Sequence, residues 1–408
     1  MMLFLKLAWR NILRNKRRTF IAGTAIGIGM AAMIFVDALY EGMTRYMIRS
    51  ATASFLGEAQ IHHKDFRETR DVEKTISGLS DVIAGLERSP LVTMYTVRTT
   101  SFAMVTSPAN MTGIVMIGVV PETERVLSQI DDVITKGAFF EGDNERDLVI
   151  GSKLADRLEV EIGDRIVITA TEAGTGDMSQ ELFRVSGIYH FNIRKMDEGM
   201  AFVRLSRAQQ MLALGDNAHE IAVKFANPTI ASDATLPFWQ EFSRGDNEAL
   251  GWPDLLKQMS ALLRMSSVNM IITGAILFSL VALVIVNTLF MSLYERMFEF
   301  GVLRAIGTQA TGLVRLVMFE AASLAVISIG IGVLIGFGIS YWVSQVGIDY
   351  GNLEMAGVTL RDRIYPVIQW SQYVVIPAWA FVLTTLVGIY PALHASRITP
   401  ARAMRKSF

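Results

Sequence analysis

The chain has no cysteine, no G-x-x-x-x-G-K-[ST] segment and only five histidines in 408 residues. Without cysteine there is no disulfide framework, which is compatible with a large extracytoplasmic domain that uses none. Without the glycine-rich phosphate loop the chain has no nucleotide cradle of that type of its own. His62-His63, His190, His219 and His394 are scattered along the sequence. No Ser/His/Asp set and no metal-spaced cluster emerges around them, and the adjacent pair reads as surface residues at a strand edge. We therefore expect neither a catalytic site nor a bound metal or cofactor, and no nucleic-acid partner.

Charge is also missing, but locally. Residues 265–294 and 364–396 carry no Asp, Glu, Lys or Arg, 316–348 carry only Glu320, and 19–36 form a shorter uncharged run. About 20 apolar residues suffice to cross roughly 30 Å of hydrocarbon as a helix. Four runs pass, and the three longer ones should tilt or project. The expected fold class is thus a membrane α-helical protein, one span followed by three, with a large α+β extracytoplasmic domain inserted between spans 1 and 2.

The remaining charges are distributed unevenly. Lys6, Arg10, Arg14, Lys16, Arg17 and Arg18 precede the first run, Arg296, Arg304 and Arg315 lie between the second and third, and Arg397, Arg402, Arg405 and Lys406 follow the last. These 13 of the 38 basic residues are accompanied by only Glu295 and Glu299 of the 39 acidic ones. By the positive-inside rule that side is cytoplasmic and holds both termini. The expected localisation is the cytoplasmic (inner) membrane, multi-pass, with residues 45–262 periplasmic or extracellular. The net charge of −1 conceals the asymmetry.

In chain order, residues 1–18 read as an amphipathic interfacial helix on membrane lipid. An uncleaved anchor fits better than a signal peptide, because the apolar run is long and lacks a clear A-x-A site before Asp37. Transmembrane helix 1 is expected over 19–44, where Gly23-x-x-x-Gly27 permits close helix packing. Residues 45–262 alternate short β-rich runs with helical patterns, which argues an α+β domain with a mixed sheet. A helical pattern begins at Trp252 and continues into the second span, where Asn287 should find an internal hydrogen bond. The remainder, 263–408, holds spans 2–4. Gly332 and Gly336 of the third span read as tight packing positions, and Tyr390-Pro391 should stop or bend the last helix.

The polar connection between spans 2 and 3 carries the sharpest signal. It reads E-R-x-x-E-F-G-V-L-R-A-I-G from Glu295 to Gly307, with Glu295 and Glu299 four residues apart on one helical face. Val302, Ile306 and the Leu303/Ala305 pair give it an apolar side. Such a helix, over about 295–315, suits docking to a cytoplasmic partner better than closing a hairpin. This run resembles the cytoplasmic connection of the FtsX-like family of ABC-transporter permeases, which includes MacB-type exporters and Lol-type lipoprotein-releasing permeases. The Val149–Ile168 pattern V-I-G-S-K-L-A-D-R-L-E-V-E-I-G-D-R-I-V-I resembles the MacB-like periplasmic domain, and the tail Y-P-A-L-H-A-S-R-I-T-P-A-R-A-M-R resembles the family's ending.

The resemblance, with the lipoprotein-releasing permease subunit most similar, implies a coupling helix seated on a separate ATPase. Its residues here would be Glu295, Arg296, Glu299, Gly301, Arg304, Ala305 and Gly307. It also implies two ATPase copies holding ATP and Mg, a second permease subunit as homodimer or paralogue heterodimer, and a periplasmic carrier or adaptor. In one Lol-type subunit a protruding outer loop captures the carrier. The corresponding stretch, with Glu172, Gly174, Gly176 and Asp177, is short and lacks proline, so it reads as a solvated hairpin and candidate outer-partner loop. The implied function is release or export of a hydrophobic cargo such as a lipoprotein. The rivals are FtsX-like signalling to an extracytoplasmic partner and a tripartite exporter of peptides or small molecules.

Overall fold

The computed structural model describes residues 10, 16–142, 144–191, 193–351, 354–355, 358–359 and 363–397. The expected interfacial helix over 1–18 and the basic tail beyond Arg397 lie almost wholly outside the described residues. The chain divides into two compact units, an outer one built on Met47–Leu262 and a helical one built on the segments to either side.

The helical unit holds four long apolar helices, as the uncharged runs require. The first, α1, runs Lys16–Ala51, past the expected end at 44. It buries Ala22, Ile26, Met30 and Ile34, positions at helical spacing. The intervening elements of the outer unit are α2 (Phe66–Thr69), α3 (Leu79–Arg88), α4 (Pro121–Leu127), α5 (Ser152–Leu158), α6 (Arg194–Gly199), α7 (Leu205–Met211), α8 (Pro237–Phe242) and α9 (Trp252–Leu255). There follow α10 (Lys257–Glu295), α11 (Met297–Ala305), α12 (Ala310–Val346) and α13 (Gln372–Ser396).

Two expectations about helix limits are corrected. The pattern from Trp252 does not run unbroken into the second span: Leu256 leaves helical geometry at ψ 60° and α10 begins at Lys257. Nor does Pro391 stop the last helix, which continues to Ser396. Buried Ala392 and Ala395 hold the final turn against Leu293, Phe300 and Leu316, and that packing outweighs the one backbone donor a proline removes.

The glycines of the first and third spans meet each other within the unit. A Cβ on Gly332 would stand 2.9 Å from the Gly27 carbonyl oxygen, and one on Gly27 would stand 3.2 Å from the Gly332 nitrogen. Gly336 lies as tightly against Ala31 and Ile34, whereas Gly23 has ordinary clearance. α10 is different. It is exposed along most of its length, and Asn287, expected to bond internally, lies on the exposed surface of the chain. An expectation of internal pairing fails there because no neighbouring helix among the described residues covers that side.

The outer unit is built on one ten-stranded mixed sheet: β1 (Ala59–His63), β2 (Val92–Thr106), β3 (Met111–Val119), β4 (Ile134–Gly137), β5 (Asp147–Gly151), β6 (Arg165–Thr171), β7 (Met178–Tyr189), β8 (Met200–Arg204), β9 (Glu220–Phe225) and β10 (Asn247–Gly251). Its order is β10-β1-β9-β2-β3-β8-β5-β7-β4, with β6 bridging β2 and β7. β3·β8 and β5·β7 are parallel and the other pairs antiparallel. This is the expected α+β domain. Its core gathers alternate residues of the central strands with the inner faces of α5 and α7, from Ile114 and Met116 to Leu154, Leu158, Ala208 and Met211.

Topology also joins where the chain enters and leaves this unit. β1 follows α1 and pairs along its full length with β10, which precedes α9 and α10. The Trp252 amide donates to the Glu58 carbonyl, and Arg67 donates to the Leu255 carbonyl at 2.9 Å. Because β1 is interior to the sheet, His62 is buried, contrary to the expected surface position.

Candidate coupling site between the second and third spans

α10 ends at Glu295, Arg296 breaks helical geometry with φ −109° and ψ 13°, and α11 takes over at Met297. α11 then closes with a Schellman turn: the Thr308 amide donates to the Leu303 carbonyl and the Gly307 amide to the Arg304 carbonyl. Gly307 sits at φ 99°, where a side chain would strain the backbone. The chain is thereby turned into α12.

The break at Arg296 aims its side chain inward. The guanidinium donates to Glu320 Oε2 at 3.0 Å and to Glu299 Oε2 at 2.9 Å, and it lies 5.1 Å from the centre of the Phe300 ring. Glu320, nearly three turns into α12, accepts a further hydrogen bond from Ser292 Oγ at 2.9 Å. Arg296 and Glu320 are both buried. One carboxylate therefore ties the end of α10, the start of α11 and the body of α12 together. Leu293, Phe300, Leu313, Leu316 and Val317 pack beside it with Ala392 and Ala395 of α13.

The charged residues singled out from sequence consequently divide. Arg296 is buried, Glu299 half-buried and turned to Arg296, and Arg304 half-buried with a donor toward the Thr308 carbonyl. Gly301 is buried, while Glu295, Ala305 and Gly307 are exposed. What the connection presents outward is mostly apolar. Tyr294, Phe298, Val302 and Ile306, at every fourth position, are exposed, Ile306 at 74%. Sequence reasoning noted Val302 and Ile306 but missed Tyr294, Phe298 and the Arg296–Glu320 pair. The available signal was Glu320 itself, the single charge in an apolar run.

The candidate outer-partner loop joins β6 to β7. The Glu172 amide donates to the Asp177 carbonyl, Gly174 and Gly176 adopt φ 80° and 71°, and the Gly174 amide donates to Glu73. Gly174, Gly176 and Asp177 are exposed and Glu172 is half-buried. It is a compact hairpin end. Ser152 and Asp197 both approach His190, at 2.8 and 3.3 Å, but on the same Nδ1 atom, so they form no proton relay through the ring.

Comparison with known proteins assigns this architecture. The MacB-like periplasmic core domain matches residues 19–235, and the FtsX-like permease C-terminal domain matches residues 271–400, across the connection just described. The chain belongs to the FtsX-like ABC-transporter permease family, with a MacB-like periplasmic core. Its similarity to the lipoprotein-releasing system transmembrane protein LolC of Neisseria meningitidis is 22% identity over 98% of both chains. To LolE of Haemophilus influenzae it is 19% identity over 93% of both. Among solved structures, the periplasmic region of MacB from Actinobacillus actinomycetemcomitans aligns at 15% identity and a TM-score of 0.35, covering 50% of this chain and 92% of that one. This FtsX-like permease is thus a multi-span membrane protein carrying a periplasmic-type domain, a transporter component of the permease class.

Proposed function

We propose that this permease is one membrane half of an ABC exporter that couples ATP hydrolysis on a separate ATPase to release of a lipoprotein or similarly hydrophobic cargo from the membrane. The observation that carries the reading is the connection at 294–307. Its inner side is pinned to α12 through Arg296 and Glu320, and its outer side offers Tyr294, Phe298, Val302 and Ile306. A lever needs both properties: a stiff attachment to the spans and an apolar face for a partner to grip. Two ATPase subunits, each with its own ATP and Mg, would seat on two such connections.

The second connection comes from a second permease subunit, a copy or a paralogue. Support lies in α10, exposed over most of its length with the Asn287 amide among apolar residues, a polar group that gains by pairing across helices. The cargo assignment rests on similarity to the lipoprotein-releasing proteins over nearly the whole chain. The basic connection and flanks support a cytoplasmic placement for 294–307 and both termini, in the inner membrane, with the outer unit periplasmic and open to a carrier or adaptor.

Reconstitution tests this. The wild-type chain, expressed with an ABC ATPase subunit of the same organism, is expected to co-purify with that ATPase and to release a fluorescent lipoprotein from proteoliposomes on adding ATP and Mg. Phe298→Asp and Ile306→Asp should abolish co-purification. ATP turnover with no lipoprotein released, together with a cell-wall hydrolase retained by the complex, would assign the chain to signalling instead.

A further inference from the structure

α1 does not end as an ordinary helix. After Ala51 the backbone widens into a π turn over Thr52–Leu56, closed by the Gly57 amide donating to the Thr52 carbonyl at 2.9 Å. π turns cost hydrogen-bond quality, and they persist where they re-aim a side chain. Here the turn releases the Ala53 carbonyl to accept the Gln129 amide at 2.9 Å and turns Phe55 into the outer sheet.

Phe55 lands on a fully buried charge. The Arg98 side chain on β2 is 0% exposed. Each of its three nitrogens donates to a carboxylate: Nε and Nη2 to the two oxygens of Glu124 on α4, at 2.9 and 2.7 Å, and Nη1 to Glu220 on β9 at 3.0 Å. What remains is the flat face of the guanidinium. The Phe55 ring covers it with its centre 3.7 Å from the guanidinium carbon, and Phe202 of β8 packs edge-on against the same ring at 5.4 Å. A desolvated cation face is satisfied by an aromatic quadrupole and poorly by an aliphatic group. The Glu124 carboxylate is itself buried, so the cluster has one geometry in which every charge is met.

We propose that Phe55 is a positioning residue that keys the last turn of α1, residues 47–51, to the sheet of its own unit through Arg98, so that this turn and the strands β2, β8 and β9 move as one piece. This goes beyond the permease reading and holds whether or not the chain engages an ATPase. The absence of native cysteine makes the test direct. Spin labels at Arg49→Cys and Glu122→Cys, both at exposed positions, report the helix end against the sheet in the full-length chain in nanodiscs. Glu122→Cys with Arg184→Cys supplies a control pair within the outer unit.

With Phe55 present the Arg49–Glu122 distance distribution should be as narrow as the control. Phe55→Leu should broaden it about twofold while leaving the control pair unchanged, and Phe55→Trp should restore it. A purely volume-filling role would keep the Leu variant narrow. A Leu variant as narrow as the parent overturns the proposal, and so does a parent distribution broader than the control. That second arm needs no variant to fold.

Discussion

Replacing Glu320 by Gln isolates the inner pin of the connection. The substitution keeps size and an acceptor for Ser292, but leaves the buried Arg296 guanidinium with one carboxylate, Glu299, whose side chain is 41% exposed. Breaking a buried ion pair by removing one partner costs about 3–5 kcal/mol, because the survivor stays desolvated. The exposed pair that remains is worth up to about 1 kcal/mol, which places the expected cost near the low end, about 3 kcal/mol. At about 1.4 kcal/mol per factor of ten, local opening of the connection should become roughly 150-fold more frequent. Hydrogen exchange of the amides from 297 to 305 in nanodiscs reads that opening directly. Glu299→Gln, at the more exposed partner, should raise the same rates less than about fivefold. Equal effects of the two substitutions, or a Glu320→Gln protein that exchanges like the parent, would refute the assignment of Glu320 as the pin.

Three further outcomes follow from the geometry. Gly332→Leu should separate α1 from α12 at a cost of about 1–3 kcal/mol, while Gly23→Ala, with clearance of 3.6 Å, should be neutral; thermal denaturation in detergent ranks them. Phe298→Asp should leave the melting temperature of the isolated permease unchanged yet remove the ATPase in a pull-down, since the side chain is exposed in the chain alone. Burial holds the imidazoles of His62 and His219 below the ordinary 6.5, so both are neutral in the fold and take up protons only on unfolding as the pH falls through that value. Stability of the outer unit should therefore be full above about pH 6.5 and decline below it, and His219→Gln should flatten the decline in melts between pH 7.5 and 5.5.

The spans and the kind of sheet were legible because each is written in many residues at once: long uncharged runs, and short alternating runs broken by turns. Short strands are harder to read: β5 and β10, Asp147–Gly151 and Asn247–Gly251, begin with polar side chains that the fold buries by pairing, Asp147 against Asn144 and Asn247 against Ser77. Within the connection, sequence located the residues but not their direction. Charges on a short loop between spans read as a solvated face, and nothing local says that Arg296 turns inward to a carboxylate 24 residues away. The π turn was invisible for a similar reason. Phe55, the residue it turns, meets Arg98, which lies 43 residues further on and reads, in a strand, as an ordinary surface cation.

Arg296 and Arg98 solve one problem in the same way, and that similarity sets a final expectation. Each is a buried arginine, Arg296 just past the end of α10 and Arg98 on β2, held in plane by carboxylates and flanked by a phenylalanine, Phe300 or Phe55. Buried ion pairs add little net stability over apolar groups of similar volume; what they fix is register, since a carboxylate and a guanidinium meet in few geometries. The double replacement Arg296→Met/Glu320→Met should accordingly recover most of the exchange protection lost in Glu320→Gln, because no desolvated charge is left. It should not recover coupling, because apolar surfaces slide where a hydrogen-bonded pair does not. In the reconstituted complex, lipoprotein released per ATP should fall while hydrolysis and assembly persist. A double variant that is stable and transports as well as the parent would show that the pair is a packing element and not the fastening of the lever.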